Sequence, residues 1–502
     1  MIARIHETYG LVGLKYSAMK LSRAFRLVVG LLCLALLANC AVNPVTGRQN
    51  FVTMSESDEI RTGKQADADV RKEYGVYDNP ALQRYVNDIG QRLARKSHRA
   101  NLEYHFTIVD SPEINAFALP GGYIYITRGI MAYLSSEAEL AAVLGHEIGH
   151  VTARHAVRQQ SASMAAGIGI ALGSILVPDL RSQGAQDLLN QFGNALISGY
   201  GRDHELEADR LGAEYLARAG YDPQAMVKVI GILKNQELFD AQIAREEGRE
   251  PMHYHGLFAT HPDNDTRLKE VVSEADRLAQ PGADDHQAAY LAQINGLVFG
   301  DSPSQGIARG NRFLHGELGF ALDFPPGWKI KNQPDKVVAS SPGNDALIEL
   351  QMAGPARGAP ADFLRRNIRL DAGSELDTSP INGLPAAVIS GTRQGKPIRA
   401  GAVYLKEKTF VLAATAKSPA IYNRYRESMS ATITSFHVLQ DTERKLAKPM
   451  LVRTRPAKKG ETFANLALLT PLGKNADGYL RLMNHAYPTG ELRPGQLLKT
   501  IE

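Results

Sequence analysis

Over residues 135–160 the chain reads SSEAELAAVLGHEIGHVTARHAVRQQ, and within it His146 and His150 stand four residues apart with Glu147 between them. On a helix that spacing puts both imidazoles on one face, one turn above the other. Two neutral imidazoles so placed can bind Zn2+, and a carboxylate beside them can act as base on the water that attacks a substrate. A catalytic zinc asks for a third protein ligand and one open position. Glu205 is the candidate, because with Asp209 it forms a second pair four residues apart in a helical stretch over 200–216. Asp209, one turn on, can accept a hydrogen bond from a ligating imidazole and fix its tautomer. Glu207 points to another side. His155, nine residues past His146, is turned about half a circle away on a continuous helix and reads as a surface residue.

These side chains need helices to position them. Ser136 and Glu139 have capping-box spacing, and Leu140, Val143 and Leu144 give an apolar stripe, which predicts one amphipathic helix over 135–160. Ala208, Leu211, Gly212, Tyr215 and Leu216 mark the inner side of the second helix. Asn79-Pro80 starts another, with Leu82, Tyr85, Val86, Ile89 and Leu93 at helical spacing. Short strands are predicted over 104–109, 114–118 and 123–126, with Pro120-Gly121-Gly122 turning a hairpin.

His146-Glu147-x-x-His150 followed by Glu205-Leu206-Glu207-Ala208-Asp209, an E-x-x-A-D signature, resembles the zinc metallopeptidase family that contains HtpX and the CAAX prenyl endopeptidase. Within it, the periplasmic lipoprotein branch of BepA and LoiP type is the closer likeness. Asn115-Ala116-Phe117-Ala118-Leu119-Pro120-Gly121-Gly122, Asn43-Pro44-Val45-Thr46-Gly47-Arg48 and Thr260-His261-Pro262 agree with it. The resemblance covers roughly residues 43–275. It implies an endopeptidase with one Zn2+ per chain held by His146, His150 and Glu205, and Glu147 as base. It implies misfolded or misassembled envelope proteins as substrates, and it puts Asn115, Ala116 and Phe117 on an edge strand that pairs with extended substrate. Pro262 biases His261 away from helix, in a loop that can bring this imidazole to zinc's fourth position or to an oxyanion; the alternative is that His261 packs the following helix. A non-catalytic chaperone or peptidoglycan-binding scaffold is the rival reading. The intact Glu147 argues against it, since holding a metal needs the histidines but not the base. A hydrolase of peptidoglycan cross-links is a third option, against which the E-x-x-A-D signature favours a protein substrate.

The chain has 502 residues, 44% hydrophobic and 22% charged, the balance of a globular protein with two to four domains. The formal charge of +4 arises in residues 1–39, which hold five Lys/Arg against one Glu; nothing suggests a nucleic-acid partner. Residues 1–39 are expected to be a signal peptide, and Leu37-Ala38-Asn39-Cys40 resembles a bacterial lipobox in which Cys40 is acylated. Asn39 departs from the small residue usual there. Ala41 favours delivery to the outer membrane, so the expected location is the periplasm, as an outer-membrane lipoprotein. Met19-Lys20 is a more ordinary start than Met1. With Cys33 in the leader, the mature chain has no disulfide. The apolar run over 164–177 spans about 21 Å as a helix, short of a ~30 Å bilayer core; it reads as a lid, a re-entrant segment or a buried helix. Residues 183–201 could form a flap.

The expected fold class is α+β in three units: a mainly helical zincin-type domain with a small sheet over 40–300, a small α+β domain over 310–440, and a βααβ LysM-like module over 450–502. The second resembles a PsbP-like sheet-and-helix fold. The third carries Lys459-Gly460-Glu461-Thr462, Leu480-x-x-x-Asn484 and Leu492-Arg493-Pro494-Gly495-Gln496, a likeness that implies glycans such as peptidoglycan as partner; a copy kept for packing is the alternative. Linkers are expected over 300–306 and 444–459.

Overall fold

The computed structural model describes residues 40–52, 54–162, 201–248, 264–279 and 283–502. The expected segments over 164–177 and 183–200, the leader and His261 lie outside the described residues.

A short antiparallel pair, β1 (Cys40–Val42) and β2 (Gln49–Phe51), leads into α1 (Glu56–Tyr74) and α2 (Pro80–Ala94). The α2 start follows from its residues: Asn79 Oδ1 accepts from Leu82 N at 3.1 Å, and Pro80 sits where a missing N–H costs nothing. Leu82, Val86, Ile89 and Leu93 are buried, as their spacing demands. β3 (His105–Val109), β4 (Ala116–Leu119) and β5 (Tyr123–Thr127) then form a sheet in the order β3–β5–β4, with β5 parallel to β3 and antiparallel to β4. The β4–β5 turn needs its glycines: Gly122 has φ +94°, and a Cβ there would stand 2.4 Å from Glu103 O. β4 and β3 are the two edges of this sheet.

After α3 (Arg128–Met131) comes α4 (Glu137–Thr152), which carries both histidines. It is capped as its spacing predicts: Glu139 N donates to Ser136 Oγ at 3.2 Å, and Ser135 N to Glu139 Oε2 at 2.7 Å. Two expectations for it fail. It is not amphipathic, since all sixteen of its residues are buried. Nor does it run on to Gln160: Arg154 adopts the left-handed region at φ +55°, and a separate helical segment follows over 155–162. Long-range contacts hold that break. Arg154 Nε donates to Glu59 Oε2 at 2.9 Å and Arg154 Nη2 to Met54 O at 2.9 Å, while Arg99 Nη1 bonds Glu59 Oε1 at 2.8 Å.

α5 (Arg202–Ala219), α6 (Gln224–Glu247), α7 (Asn264–Leu278) and α8 (Gln287–Ile294) complete the helical layer, with α2, α5, α6 and α8 all packed on α4. The expected linker over 300–306 is pinned rather than loose, because Ser302 is buried and its Oγ donates to Asp110 Oδ2 at 2.6 Å.

β6 (Val298–Phe299) leads to the middle unit: β7 (Ile307–Arg309), β8 (Arg312–His315), β9 (Phe320–Asp323), β10 (Lys329–Asn332), β11 (Lys336–Ser340), β12 (Ala346–Pro355), α9 (Pro360–Asn367), β13 (Glu375–Asp377), β14 (Ala386–Arg393), β15 (Lys396–Leu405), β16 (Lys408–Ala416), α10 (Pro419–Ser435) and β17 (His437–Val438). Its antiparallel sheet runs β10–β11–β12–β16–β15–β14–β13. Met429 and Ile433 of α10 pack with Val388 and Leu412, whereas Leu364 of α9 packs with Ala387 and Ile389. Alternate residues of β14 thus feed two cores, one on each face.

The last unit runs β18 (Met450–Pro456), α11 (Phe463–Ala467), α12 (Ala476–Met483), β19 (Leu497–Ile501). Its first strand occupies what the basic composition marked as linker. β18 pairs with both β19 and β6, and Val452, Leu482, Met483 and Ile501 join the same apolar core as Leu140 and Leu144 of α4. Among the described residues no helix is long and apolar enough to cross a membrane.

Candidate metal centre

α4 and α5 meet along a seam of small residues. A Cβ on Gly149 would stand 2.9 Å from Ala208 O, and one on Gly145 would stand 3.0 Å from Leu216 Cδ1. This close approach brings Glu205, in the first turn of α5, against the histidines. His146 Nε2 and His150 Nε2 are 2.9 Å apart, and the Glu205 oxygens lie 3.5 Å from each. All three residues are buried, and their ligand atoms fall within 4.8 Å of one another. Ligands bonded to zinc at about 2.0–2.2 Å in a tetrahedron stand about 3.3–3.6 Å apart. The Glu205 distances fall in that range and the imidazole pair is about 0.4 Å closer, a spacing that a small rotation of either ring opens; two imidazoles and one carboxylate are a donor set that matches catalytic rather than structural zinc sites.

The ring protons follow from the hydrogen bonds. A carboxylate only accepts, so His146 Nδ1 donates to Asp209 Oδ1 at 2.8 Å, and His146 Nε2 keeps its lone pair for a metal. Burial alone would lower the His146 imidazole; the Asp209 and Glu205 carboxylates outweigh it and raise it to about 9, so a metal at Nε2 would take the place of a proton there. Asp209 is itself gripped by Arg267, whose Nε and Nη2 donate at 2.7 and 2.8 Å. Burial works against the Asp209 charge, yet Arg267 and His146 hold its carboxyl below the usual range. Arg267 Nη1 also lies 3.4 Å from Glu205 Oε2.

The second imidazole has a different support, which the sequence reading misplaced. His155 is not on the surface: it is fully buried, with Nδ1 2.8 Å from His150 Nδ1 and Nε2 3.0 Å from Glu207 Oε2. The helix break at Arg154 invalidates the continuous rotation and swings His155 back against His150. Glu207 accepts the Nε2 proton, so His155 Nδ1 is an acceptor and His150 Nδ1 donates to it, leaving His150 Nε2 open. Arg158 Nη1 binds Glu207 Oε2 at 2.8 Å, and His204 stacks on His155 at 4.3 Å. Burial opposes the Glu207 charge, but His155 and Arg158 bring its carboxyl down to about 2.

Glu147 is buried on α4 between the two ligands. Asn115, just before β4, and Ala116 are buried and Phe117 is half-buried, and Ala118 and Leu119 line the same crevice as His150. Cys40 opens β1, opposite Phe51. Arg267 falls with Val271 and Ala275 at i, i+4, i+8 on the buried side of α7, a spacing that marks it in the sequence as an inward-facing arginine.

Residues 80–275 match peptidase family M48. The beta-barrel assembly-enhancing protease of Escherichia coli (strain K12) is 31% identical over 262 residues, 51% of this chain and 51% of that protein. Its Yersinia pestis counterpart is 32% identical over 330 residues, 61% of this chain and 65% of that one. Mitochondrial metalloendopeptidase OMA1 of Schizosaccharomyces pombe is 32% identical over 231 residues, 45% and 64%. The chain spans about half to two thirds of the length of these relatives. Both helices that bring His146, His150 and Glu205 together lie inside the stretch that matches peptidase family M48.

Proposed function

We propose that the protein is a zinc-dependent endopeptidase that takes one Zn2+ per chain on His146, His150 and Glu205. The observation that carries this reading is the meeting of those three buried donors with Glu147 on the same helix. Zinc, when bound, supplies a Lewis acid that polarises the scissile carbonyl. Glu147 takes a proton from the attacking water and passes it to the leaving amine. Asp209 and His155 hold the two imidazoles in the tautomers that ligation needs. The outer edge of β4 offers backbone hydrogen bonds to an extended peptide, and the buried Asn115 Oδ1, which accepts no hydrogen bond among the described residues, lies at that edge. His261, which precedes α7 in the sequence, supplies a fourth ligand or an oxyanion donor.

The substrates are envelope proteins that are misfolded or misassembled, a reading supported by the relatives named for beta-barrel assembly. The chain is held in the periplasm by acylation of Cys40 and reaches peptidoglycan through a LysM-like module over 450–502; the strand–helix–helix–strand order there supports that module. The deciding experiment compares metal content and casein hydrolysis. Glu147→Gln should keep stoichiometric zinc and lose proteolysis, while His150→Ala and Glu205→Gln should lose both. Full proteolysis by Glu147→Gln would sink the mechanism.

A further inference from the structure

A cavity of about 730 Å3 opens at the N-terminal end of α4, away from the zinc ligands. Its wall combines Ser135 and Gln287 with His485, Glu491, Arg493 and Lys499 of the C-terminal unit. The volume is that of a small-ligand site, about 300–1,000 Å3.

Three features of this wall point to a ligand. Lys499 is only 1% exposed although it lines the cavity. An ammonium has three N–H donors; among the described residues two are taken, by Leu134 O at 2.5 Å and Ser135 Oγ at 3.1 Å. One remains. Its neighbour Glu139 is buried behind it, already accepting from Ser135 N. Burial pulls the Lys499 ammonium down and pushes the Glu139 carboxyl up, while the charge of each favours the charge of the other. Next, His485 is held at φ +56°, a region costly for a side-chain-bearing residue. Its Nε2 lies 3.0 Å from Tyr133 O, which can only accept, so Nε2 carries the proton and Nδ1 is an acceptor. Finally, Arg493 is exposed with no carboxylate in ion-pair reach among the described residues. Glu491, the one acid on the wall, is already bonded to Arg481 Nη2 at 2.6 Å.

We propose that this cavity binds a carboxylate ligand of up to short-peptide size, whose oxygens take the spare Lys499 N–H and face the Arg493 guanidinium. An amide N–H on the same ligand meets His485 Nδ1. A cationic ligand is disfavoured, because the wall holds two cations against one acid that is already paired. The bound ligand rests on Ser135, beside the cap of the helix that carries His146 about three turns further on. Binding here does not depend on the peptidase reading, so the test measures binding alone.

Calorimetric titration of the full chain with acetyl-trialanine as free acid, the same peptide as C-terminal amide, and acetate tests it. The free acid should bind, and the amide should bind about tenfold or more weakly, the worth of a charge-assisted hydrogen bond. Acetate binding as well as the peptide acid assigns the site to small free acids; tighter binding by the peptide assigns it to peptide termini. Arg493→Gln, at an exposed position, and Lys499→Met should each weaken the acid by about tenfold or more, with urea midpoints checking that each variant folds. Equal binding of acid and amide, wild-type affinity in Arg493→Gln, or no binding by either acid overturns the proposal.

Discussion

His146 and His150 are held by acids at different removes. His146 leans directly on Asp209, and Asp209 on Arg267; His150 leans on His155, and His155 on Glu207. Links in series fail together. His155→Phe and Glu207→Gln should each weaken zinc about 10- to 100-fold, and the double variant should be no worse than either single one. Asp209→Ala, in the other branch, should lose a similar factor that adds to theirs. Competition against a fluorescent zinc chelator measures all four; independent, additive losses from His155 and Glu207 would break the series reading. The ligands and Asp209 were legible because a four-residue spacing within one helix is a local fact. His155 was not, because its position depends on a left-handed residue held by Glu59, 95 positions away in the chain. No local periodicity reports that.

Helices α4 and α5 owe their approach to Gly145 and Gly149, facing Ala208, Gly212 and Leu216. With Ala208 O only 2.9 Å from where a Cβ would sit, Gly149→Ala must push the helices apart or tilt one of them. Overpacking of this kind costs about 1–3 kcal/mol, and here it also draws Glu205 away from the imidazoles. The expected outcome is a lower urea midpoint together with weaker zinc. Unchanged values for both would mean that the seam does not set the site. The sequence marked these helices and the β4–β5 hairpin, since caps, turns and apolar spacing are short-range signals. It misjudged the surroundings of α4. The helix expected to be amphipathic is buried along all sixteen residues, because the cap and the metal-ligand cluster pack its polar side chains as well. That the parallel partner of β5 is β3 was likewise not legible, because strand order is set by packing across the sheet.

At the scale of the molecule, apolar cores rather than chain order define what packs together. Ile501, near the far end of the described chain, belongs to the core around α4, whereas Leu412 belongs to the middle unit. Ile501→Ala should therefore destabilise the half that binds zinc by about 2–5 kcal/mol, and Leu412→Ala should cost a similar amount in the middle unit. Calorimetry separates them, because zinc raises only the transition of the half that binds it and chelation lowers that transition again. A zinc-sensitive transition shifted by Leu412→Ala and not by Ile501→Ala would refute this division. The composition of 444–459 suggested a tether; a strand lies there because its partners are β6 and β19, neither of them adjacent in sequence. The clamp of Lys499 on Leu134 crosses 365 positions of the chain. A ribosome delivers the N-terminal side first, and domains fold as units. The helix that bears the histidines consequently waits for its last fastening until the whole middle unit and β19 have been made.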